Sequence, residues 1–505
     1  MPMDQKVLLL FPNSSNEGYM PIAIGILSTF AKQCGFKVDY FETSFYQKPS
    51  SAGEERERTG EFKFVNRKNF LKLLPYNYLQ RDFNRKLLTF KPDIIAVSAN
   101  SLEYELFCDF FKKIPKLKPK PVVIIGGVHA TVAPEEVIKN PQIDVLCIGE
   151  GEKAWKEFLH KFKKRKDFSS VKNLWVKQGN KIKKNPLRPL LDGKELWNTP
   201  LDYSFFDKKH FLSPFDGKMY HRGQVELSRG CPYNCTYCVN SGFKNIYQGL
   251  GRFMRVRPLA NLKKAIKKQV DLGTQMLQLQ DENFLAVPMN KLKIFCQWYG
   301  SKIKLPLMIQ GRPELVTEDK IKLIASMGIP VQLSLGVESG SERILHNICH
   351  RYMTLEQIKN AFKIIRKYKI RSTAYTMVGF PTETRQEVFA TINLIRACKV
   401  DISIMSVFYP FKGTPLREYC LKNGYMTGKE KTKTFTDKSV LKNQPMTAGE
   451  ISNLRRTYAL YTRLPRKYFS RIKRCEQDYN KYKNLFNKLV LLLNKKYYKS
   501  WNLNK

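Results

Sequence analysis

Short apolar runs alternate along this chain with longer stretches whose apolar residues recur at helical spacing. In the first third the runs are Lys6–Phe11, Lys37–Phe41, Asp93–Ser98, Val122–Ile125 and Val145–Ile148. Between them Ile22–Cys34 (stopped by Gly35), Leu102–Ile114 and Gly151–Phe162 carry helical periodicity. Fully apolar strands separated by amphipathic helices predict a doubly wound α/β unit with a parallel sheet. Ligands of such sheets bind outside the carboxyl ends of the strands. Polar and glycine-rich turns stand at those ends: Pro12-Asn13, Ser98-Ala-Asn100, Gly126-Gly-Val-His-Ala-Thr131 and Gly149-Glu-Gly-Glu152.

A second alternation starts at Gln224–Ser228. It continues through strands Met276–Gln280, Leu307–Gln310, Val331–Gly336, Thr373–Val378 and Ile402–Phe408. Helical stretches Leu262–Leu272, Met289–Trp298, Asp319–Met327, Leu355–Tyr368 and Gln386–Cys398 lie between them. Repeated strand–helix units of this kind predict a partial (β/α)6 barrel, with its chemistry at the carboxyl ends of the strands. The domain reading is therefore 1–170 for the doubly wound unit, 171–215 for a linker, 216–425 for the barrel and 426–505 for a small helical region. The linker opens with a hairpin, Val171–Lys184, around Gly179-Asn180, and continues as the proline-rich stretch Pro186–Phe206. The polar, glycine-bounded segment Ser50–Gly60 reads as a mobile loop, and residues 447–499 as helical with a break at Pro465.

Charge adds a second signal. The 505 residues hold 88 Lys plus Arg against 44 Asp plus Glu, a net charge of +44. A basic balance suits nucleic acid, a membrane surface or an anionic substrate. Residues 451–505 carry 15 Lys or Arg against two acids, with interleaved aromatics. Leu489-Val-Leu-Leu-Leu493, flanked by lysines, could lie at a bilayer interface. A solvated helical cap is the competing reading, since lysine is abundant everywhere along the chain, and nucleic acid is disfavoured. The amino terminus runs directly into a strand, so no signal peptide is expected. No apolar run approaches the ~18 residues of a membrane span. Scattered single cysteines point to a reducing compartment, read as cytoplasmic with membrane association left open.

The chemistry concentrates in Ser228-Arg-Gly-Cys-Pro-Tyr-Asn-Cys-Thr-Tyr-Cys238, where Cys231, Cys235 and Cys238 have Cys-x3-Cys-x2-Cys spacing. Three thiolates on one loop can hold three irons of a [4Fe–4S] cluster, leaving one iron open to a chelating ligand. A zinc module would want a second, distant pair of cysteines, and the other eight cysteines are scattered singly. The spacing, with Tyr237 before the last cysteine, resembles the radical S-adenosylmethionine (SAM) enzymes. In that family the open iron binds the amino and carboxylate groups of SAM, and an electron cleaves SAM to a 5′-deoxyadenosyl radical.

The resemblance implies roles for further residues. Catalysis would rest on Cys231, Cys235 and Cys238. SAM would be met by Tyr237 near the adenine and by Asp281, Glu282 and Asn283 near the amino group. Gln310, Arg312, Glu338 and Ser339 (within Leu335-Gly-Val-Glu-Ser-Gly340) and Gly379 complete that set. Arg255 and Arg257 are read either as facing the SAM carboxylate or substrate, or as a solvated pair. The first third resembles the cobalamin-binding domain that precedes the barrel in one large radical SAM class. The phrases that carry this are Lys91–Ser98, Ile125–Thr131 and Asp144–Glu152. Ser98, Gly126, Gly127, His129, Thr131, Gly149 and Glu150 would line the cobalamin site. The Asp-x-His-x-x-Gly phrase that supplies a cobalt-ligating histidine is absent, so a cofactor without a histidine ligand is implied.

The expected activity is SAM cleavage at a [4Fe–4S] cluster, with the radical used on an unactivated carbon for cobalamin-dependent methyl transfer. Oxidation, cyclisation or rearrangement beside a vestigial cobalamin domain stays open as the alternative. A small-molecule or lipid-like substrate and an electron donor such as flavodoxin or ferredoxin are the expected partners. A methylthio-transferring enzyme acting on RNA would want a further cysteine set, and Cys34, Cys108 and Cys147 sit one per strand–helix unit.

Overall fold

The computed structural model describes residues 5–15, 21–48, 51–67, 70–198, 201–204, 206–498 and 500–501. Ser50 and positions 199, 200 and 205 of the expected linker lie outside the described residues. The chain forms two compact units: Met1–Ser51, Lys68–Leu212 and Gly242–Lys268 make one, while Ala52–Arg67, Ser213–Ser241 and Gln269–Lys505 make the other. These units cut the chain differently from the sequence boundaries. The segment 52–67 leaves the first third for the second unit, and 242–268 goes the other way.

In the first unit, β1 (Lys6–Phe11), β2 (Lys37–Glu42), β3 (Ile94–Ser98), β4 (Val122–Gly126), β5 (Val145–Cys147), β6 (Leu174–Gln178) and β7 (Lys181–Lys184) form one sheet. Its order is β2-β1-β3-β4-β5-β6-β7. The first five strands pair in parallel, and β6 and β7 add antiparallel as a hairpin. The predicted hairpin is thus an edge of this sheet. Its outer strand, Lys-Ile-Lys-Lys, is exposed throughout, a composition that discourages pairing with other chains. Val7, Leu8, Leu9 and Leu10 are fully buried, which is why the run reads as continuous rather than alternating. The helix Ser101–Phe111 begins directly after β3 on an Asn100–Glu103 capping box, which fixes its start at the strand's carboxyl end.

In the second unit, β8 (Leu212–Phe215), β9 (Lys218–Val225), β10 (Met276–Leu279), β11 (Leu307–Gly311), β12 (Val331–Glu338), β13 (Arg371–Val378) and β14 (Ile402–Val407) lie in sequence order. From β9 to β14 every pairing is parallel, which gives the six-stranded (β/α) sheet expected. One difference is the start of β9. It opens at Lys218, not Gln224, and ends three residues before Ser228. Lys218-Met-Tyr-His-Arg-Gly has no apolar run because one face of this sheet is polar. Gln224, Gln278, Met308, Gln332 and Arg371 stand side by side in register on that face. On the other face Leu333, Leu335 and Val337 are fully buried.

The segment Ser50–Gly60, expected to be a mobile loop, is instead the helix Ala52–Arg58. Glu61, fully buried, accepts from the Met405 N–H of β14 at 2.7 Å and from Arg455 at 3.0 Å. Arg56 reaches Ser406 Oγ at 2.9 Å. The segment therefore covers the edge strand of the second sheet, and its charged residues serve as internal partners rather than as solvated ones.

The carboxyl-terminal helices Ala448–Arg463, Phe469–Gln477 and Lys483–Leu492 follow the expected break at Pro465. Thr447 and Glu450 form the capping box of the first. Leu489, Val490 and Leu493 are buried in a core with Leu454, Tyr458 and Ile472. The apolar run read as bilayer-facing therefore packs inward, leaving only Leu491 strongly exposed. Among the described residues no helix is long and apolar enough to cross a membrane.

Candidate active site

The cysteine loop follows β9 and is held by the acidic segment after β10. Asp281 accepts from the Ser228 N–H and hydroxyl, and from Leu227 N–H at 3.3 Å. Glu282 accepts from Gly230 N–H at 3.1 Å, where φ is +85° and glycine is the natural occupant. Gln310 donates to the Asp281 carbonyl at 2.6 Å. Burial pushes the Asp281 carboxyl up to about 7. On the loop's other side Thr236 N–H donates to Cys349 O and Leu416 N–H to Thr236 O. The loop is thus pinned before cofactor arrives.

Two of the three sulfurs receive side-chain donors, and Cys231 a backbone one from Tyr233. Arg312 Nη1 lies 2.9 Å from Cys235 Sγ, and Asn240 Nδ2 lies 3.7 Å from Cys238 Sγ. The Arg312 guanidinium is fixed by Glu314 and by the Tyr233 ring, 3.8 Å away. Burial raises the Cys231 thiol and pushes Cys238 up to about 11. Among the described residues no group of three His, Cys, Asp or Glu side chains is placed to hold a metal ion. Half-buried thiols on one loop, with N–H donors aimed at sulfur, fit a [4Fe–4S] cluster, whose properties depend on such bonds.

Around this loop β12 ends in a bulge at Gly336–Glu338, with Glu338 at φ +65°. The buried Glu338 accepts from Tyr237 OH at 3.0 Å and Arg351 Nη1 at 3.1 Å. Arg351 also holds the Gly336 carbonyl at 2.6 Å. Tyr237 packs edge-on to Phe380, 6.3 Å between centroids. Ser339 is turned away, into a buried contact with Thr391 and a bond from Ser341 N–H. Gly379 (φ +85°) donates to Glu383 at 2.7 Å. Asn283 is the outlier: it is buried, yet neither amide atom has a hydrogen-bond partner among the described residues. An unsatisfied buried amide at a strand's carboxyl end fits a polar ligand such as the SAM amino acid moiety. Arg351, Tyr233, Asn240 and Glu314 were missed by sequence reasoning. They carry no spacing signal, because their partners are distant in the chain.

Glu383 gives a pH test. Its carboxyl is buried and pushed up to about 8, with one oxygen lacking a partner. A raised carboxyl stays protonated in the folded chain while the unfolded chain ionises, so stability falls as pH rises from the ordinary value of 4.5 towards 8. Glu383→Gln mimics the neutral acid. The melting temperature of the variant minus that of the parent should become more positive across this window and then level off. A difference independent of pH would show that Glu383 does not titrate there.

In the first unit, β3, β4 and β5 end at Ser98, Gly126–Gly127 and Gly149. Gly127 (φ +97°) lies so close to Ala99 that a Cβ would stand 2.8 Å from its backbone nitrogen and oxygen. Thr131 Oγ1 donates to Gly127 O and accepts from Gly149 N–H, both at 2.9 Å, tying two of these turns together. Glu150 pairs with Arg255 at 2.7 Å, and its N–H donates to Tyr247 OH. Arg255 is therefore buried against Glu150 and is not a solvated cation. His129 is buried: its ring stacks on Tyr104 at 4.4 Å and Nδ1 lies 3.0 Å from Ser101 Oγ. Its Nε2 lies 3.7 Å from Glu136 Oε1 and has no hydrogen-bond partner among the described residues. Small and hydroxyl residues at adjacent strand ends fit a cobalamin.

Residues 225–395 match the radical SAM superfamily model, and residues 69–159 match the B12 binding domain model. The chain is 27% identical over 379 residues to "Uncharacterized methyltransferase PH0819" of Pyrococcus horikoshii, covering 74% of this chain and 79% of that protein. It is 22% identical over 488 residues to cytidylyl-2-hydroxyethylphosphonate methyltransferase of Streptomyces wedmorensis, covering 87% and 86%. Among solved structures, the radical SAM methyltransferase TsrM of Kitasatospora setae, with cobalamin and a [4Fe–4S] cluster bound, shares the fold at TM-score 0.61 and 16% identity, over 83% of this chain and 75% of that one. The cobalamin-dependent radical enzyme OxsB, with aqua-cobalamin and SAM bound, does so at 0.62 and 15%, over 97% and 72%. The first match brings the cluster and SAM as cofactors, and the second brings cobalamin. The chain thus carries a radical SAM domain over residues 225–395, preceded by a B12-binding domain over residues 69–159.

Proposed function

We propose that the protein is a cobalamin-dependent radical SAM methyltransferase that acts on an unactivated carbon of a small-molecule substrate. The observation that carries this is a pinned three-cysteine loop with side-chain donors on two sulfurs, in a chain that also holds a B12-binding domain. Relatives named as methyltransferases favour methyl transfer over oxidation or rearrangement. When bound, the cluster supplies one electron to SAM, and cobalamin supplies the methyl group. Cys231, Cys235 and Cys238 would hold the cluster. Arg312 and Asn240 would stabilise the negative charge on its sulfurs. Asn283 would bind the SAM amino acid moiety, while Asp281, Glu282 and Gln310 hold the loop that presents it. Glu338, tied to Arg351, would fix Tyr237 beside the adenine, with Ser339 and Gly379 shaping the turns around it. Ser98, Gly126, Gly127, Thr131, Gly149 and Glu150 would cradle cobalamin. The electron comes from a small carrier such as flavodoxin or ferredoxin. All eleven cysteines are free, which fits a reducing compartment such as the cytoplasm.

The test is metal content per chain, on protein made without oxygen in cells supplied with cobalamin. About one cobalt and about four irons are expected, with methylated products appearing when SAM, reductant and a small-molecule extract are added. Four irons without cobalt would sink methyl transfer through cobalamin. No iron after reconstitution would sink the reading altogether.

A further inference from the structure

Arg463 ends the helix Ala448–Arg463, and none of its three guanidinium nitrogens meets solvent or has a hydrogen-bond partner among the described residues. The Tyr498 ring lies 5.3 Å from its guanidinium carbon. A buried guanidinium without acceptors is costly, and native structures supply such groups with an anion or ordered water. A second guanidinium lies nearby. Arg371, at the start of β13, pairs with Asp216 at 3.0 Å and lies 5.5 Å from the Trp501 ring. Tyr498 feels both arginines and Asp216. The carboxylates near the two cations are Asp216 and Glu61, and Glu61 is already paired with the buried Arg455, so positive charge stays in excess.

Neutral groups beside Arg371 are also unsatisfied. Gln332 stands next to it in register, and Thr373 is two residues further along the same strand face. Gln332 Oε1 and Thr373 Oγ1 are both buried without a partner, on residues 4% and 1% exposed. The threonine hydroxyl can donate, and a terminal amide can rotate to present its N–H2. The same face carries Met308 beside Gln332 and then Gln278 and Gln224, so hydrogen-bonding groups outnumber apolar ones in this row.

We propose that the amino-terminal edge of this sheet, around Arg463 and Arg371, is an oxyanion site that takes the phosphate, phosphonate or carboxylate end of a hydrophilic substrate. From Gln332 to Glu338 along β12 is about 20 Å at ~3.3 Å per residue. A substrate anchored at this edge would be extended and polar, with its reacting carbon near the cysteine loop. The substrate half of this inference rests on the methyltransferase reading; the anion site does not.

The test uses cluster-loaded protein kept free of oxygen. Melting temperature is measured in phosphate and in chloride at matched ionic strength. Phosphate is expected to raise it by about 2 °C or more. Arg463→Met, of similar volume and without the buried charge, should melt no lower than the parent in chloride and should lose the phosphate response. Lys488→Met removes an exposed lysine of the same unit and should keep it. No phosphate-specific shift in the parent, or a full shift in Arg463→Met, would overturn the site. Labelled methyl transferred from SAM to extract molecules, per SAM cleaved, should fall tenfold or more in Arg463→Met. If that ratio is unchanged while the phosphate response is lost, the site holds free anion and the substrate half is overturned. If neither protein cleaves SAM, the methyltransferase reading fails while the melting result still judges the site.

Discussion

Cys235→Ala is expected to reduce SAM cleavage on the order of a thousandfold or more and to lower iron from about four per chain to near zero. Cys235 is the most buried of the three candidate ligands, and it receives the Arg312 guanidinium. Removing its sulfur leaves two ligands on the loop and a buried cation facing an apolar methyl. Cys349 is the control. It too is buried and close to the loop, and its backbone carbonyl accepts from Thr236 N–H. Cys349→Ala should therefore retain iron and 5′-deoxyadenosine release. The readouts are iron per chain and product under a strong reductant. A Cys235→Ala protein that keeps its iron and activity would remove the basis of the assignment.

Glu61→Ala is expected to destabilise the second unit by about 3 kcal/mol, because it removes the nearer and fully buried of the two carboxylates on the buried Arg455, leaving Glu55 at 3.4 Å. It also takes an acceptor from the Met405 N–H on an edge strand. Glu61→Gln keeps one carbonyl acceptor for Met405 and should cost less. Denaturant midpoints of parent and variants measure this. Equal midpoints for Glu61→Ala and the parent would mean the segment is the loose loop that its composition suggests.

That segment shows where sequence reasoning stopped. Lys6–Phe11 could be read to the residue because both its faces are buried, so apolarity alone marks it. The six parallel strands of the second sheet were legible for the same reason on their helix-covered face. The opposite face is lined by glutamines and arginines, and there β9 lost its first six residues to the reading. Ala-Gly-Glu-Glu-Arg-Glu-Arg looks solvated because its composition is polar throughout; what buries it is partly local, Arg67 on Glu57, and partly distant, Arg455 on Glu55 and Ser406 on Arg56. The cysteine spacing is a local signal and was readable. The residues that aim it, Arg312 through Tyr233 and Glu338 through Arg351, are long-range contacts with no period. Asp281 was read as facing a ligand; its carboxylate holds Ser228 and Leu227.

Glu61 bonds to Met405, 344 residues later, and Glu55 to Arg455, 400 residues later. The first unit likewise needs 242–268, beyond the cysteine loop. During synthesis, then, neither unit can complete itself as its own stretch leaves the ribosome. The helix Ala52–Arg58 must wait for its distant partner Arg455 until the final helices emerge. Loop closure over such separations makes the last steps slow, and the half-made chain exposes an open sheet edge while it waits. Expression of this protein should therefore depend on growth temperature and chaperone supply more than its two well-packed units would suggest, and carboxyl-terminal truncations before Arg455 should yield insoluble chain.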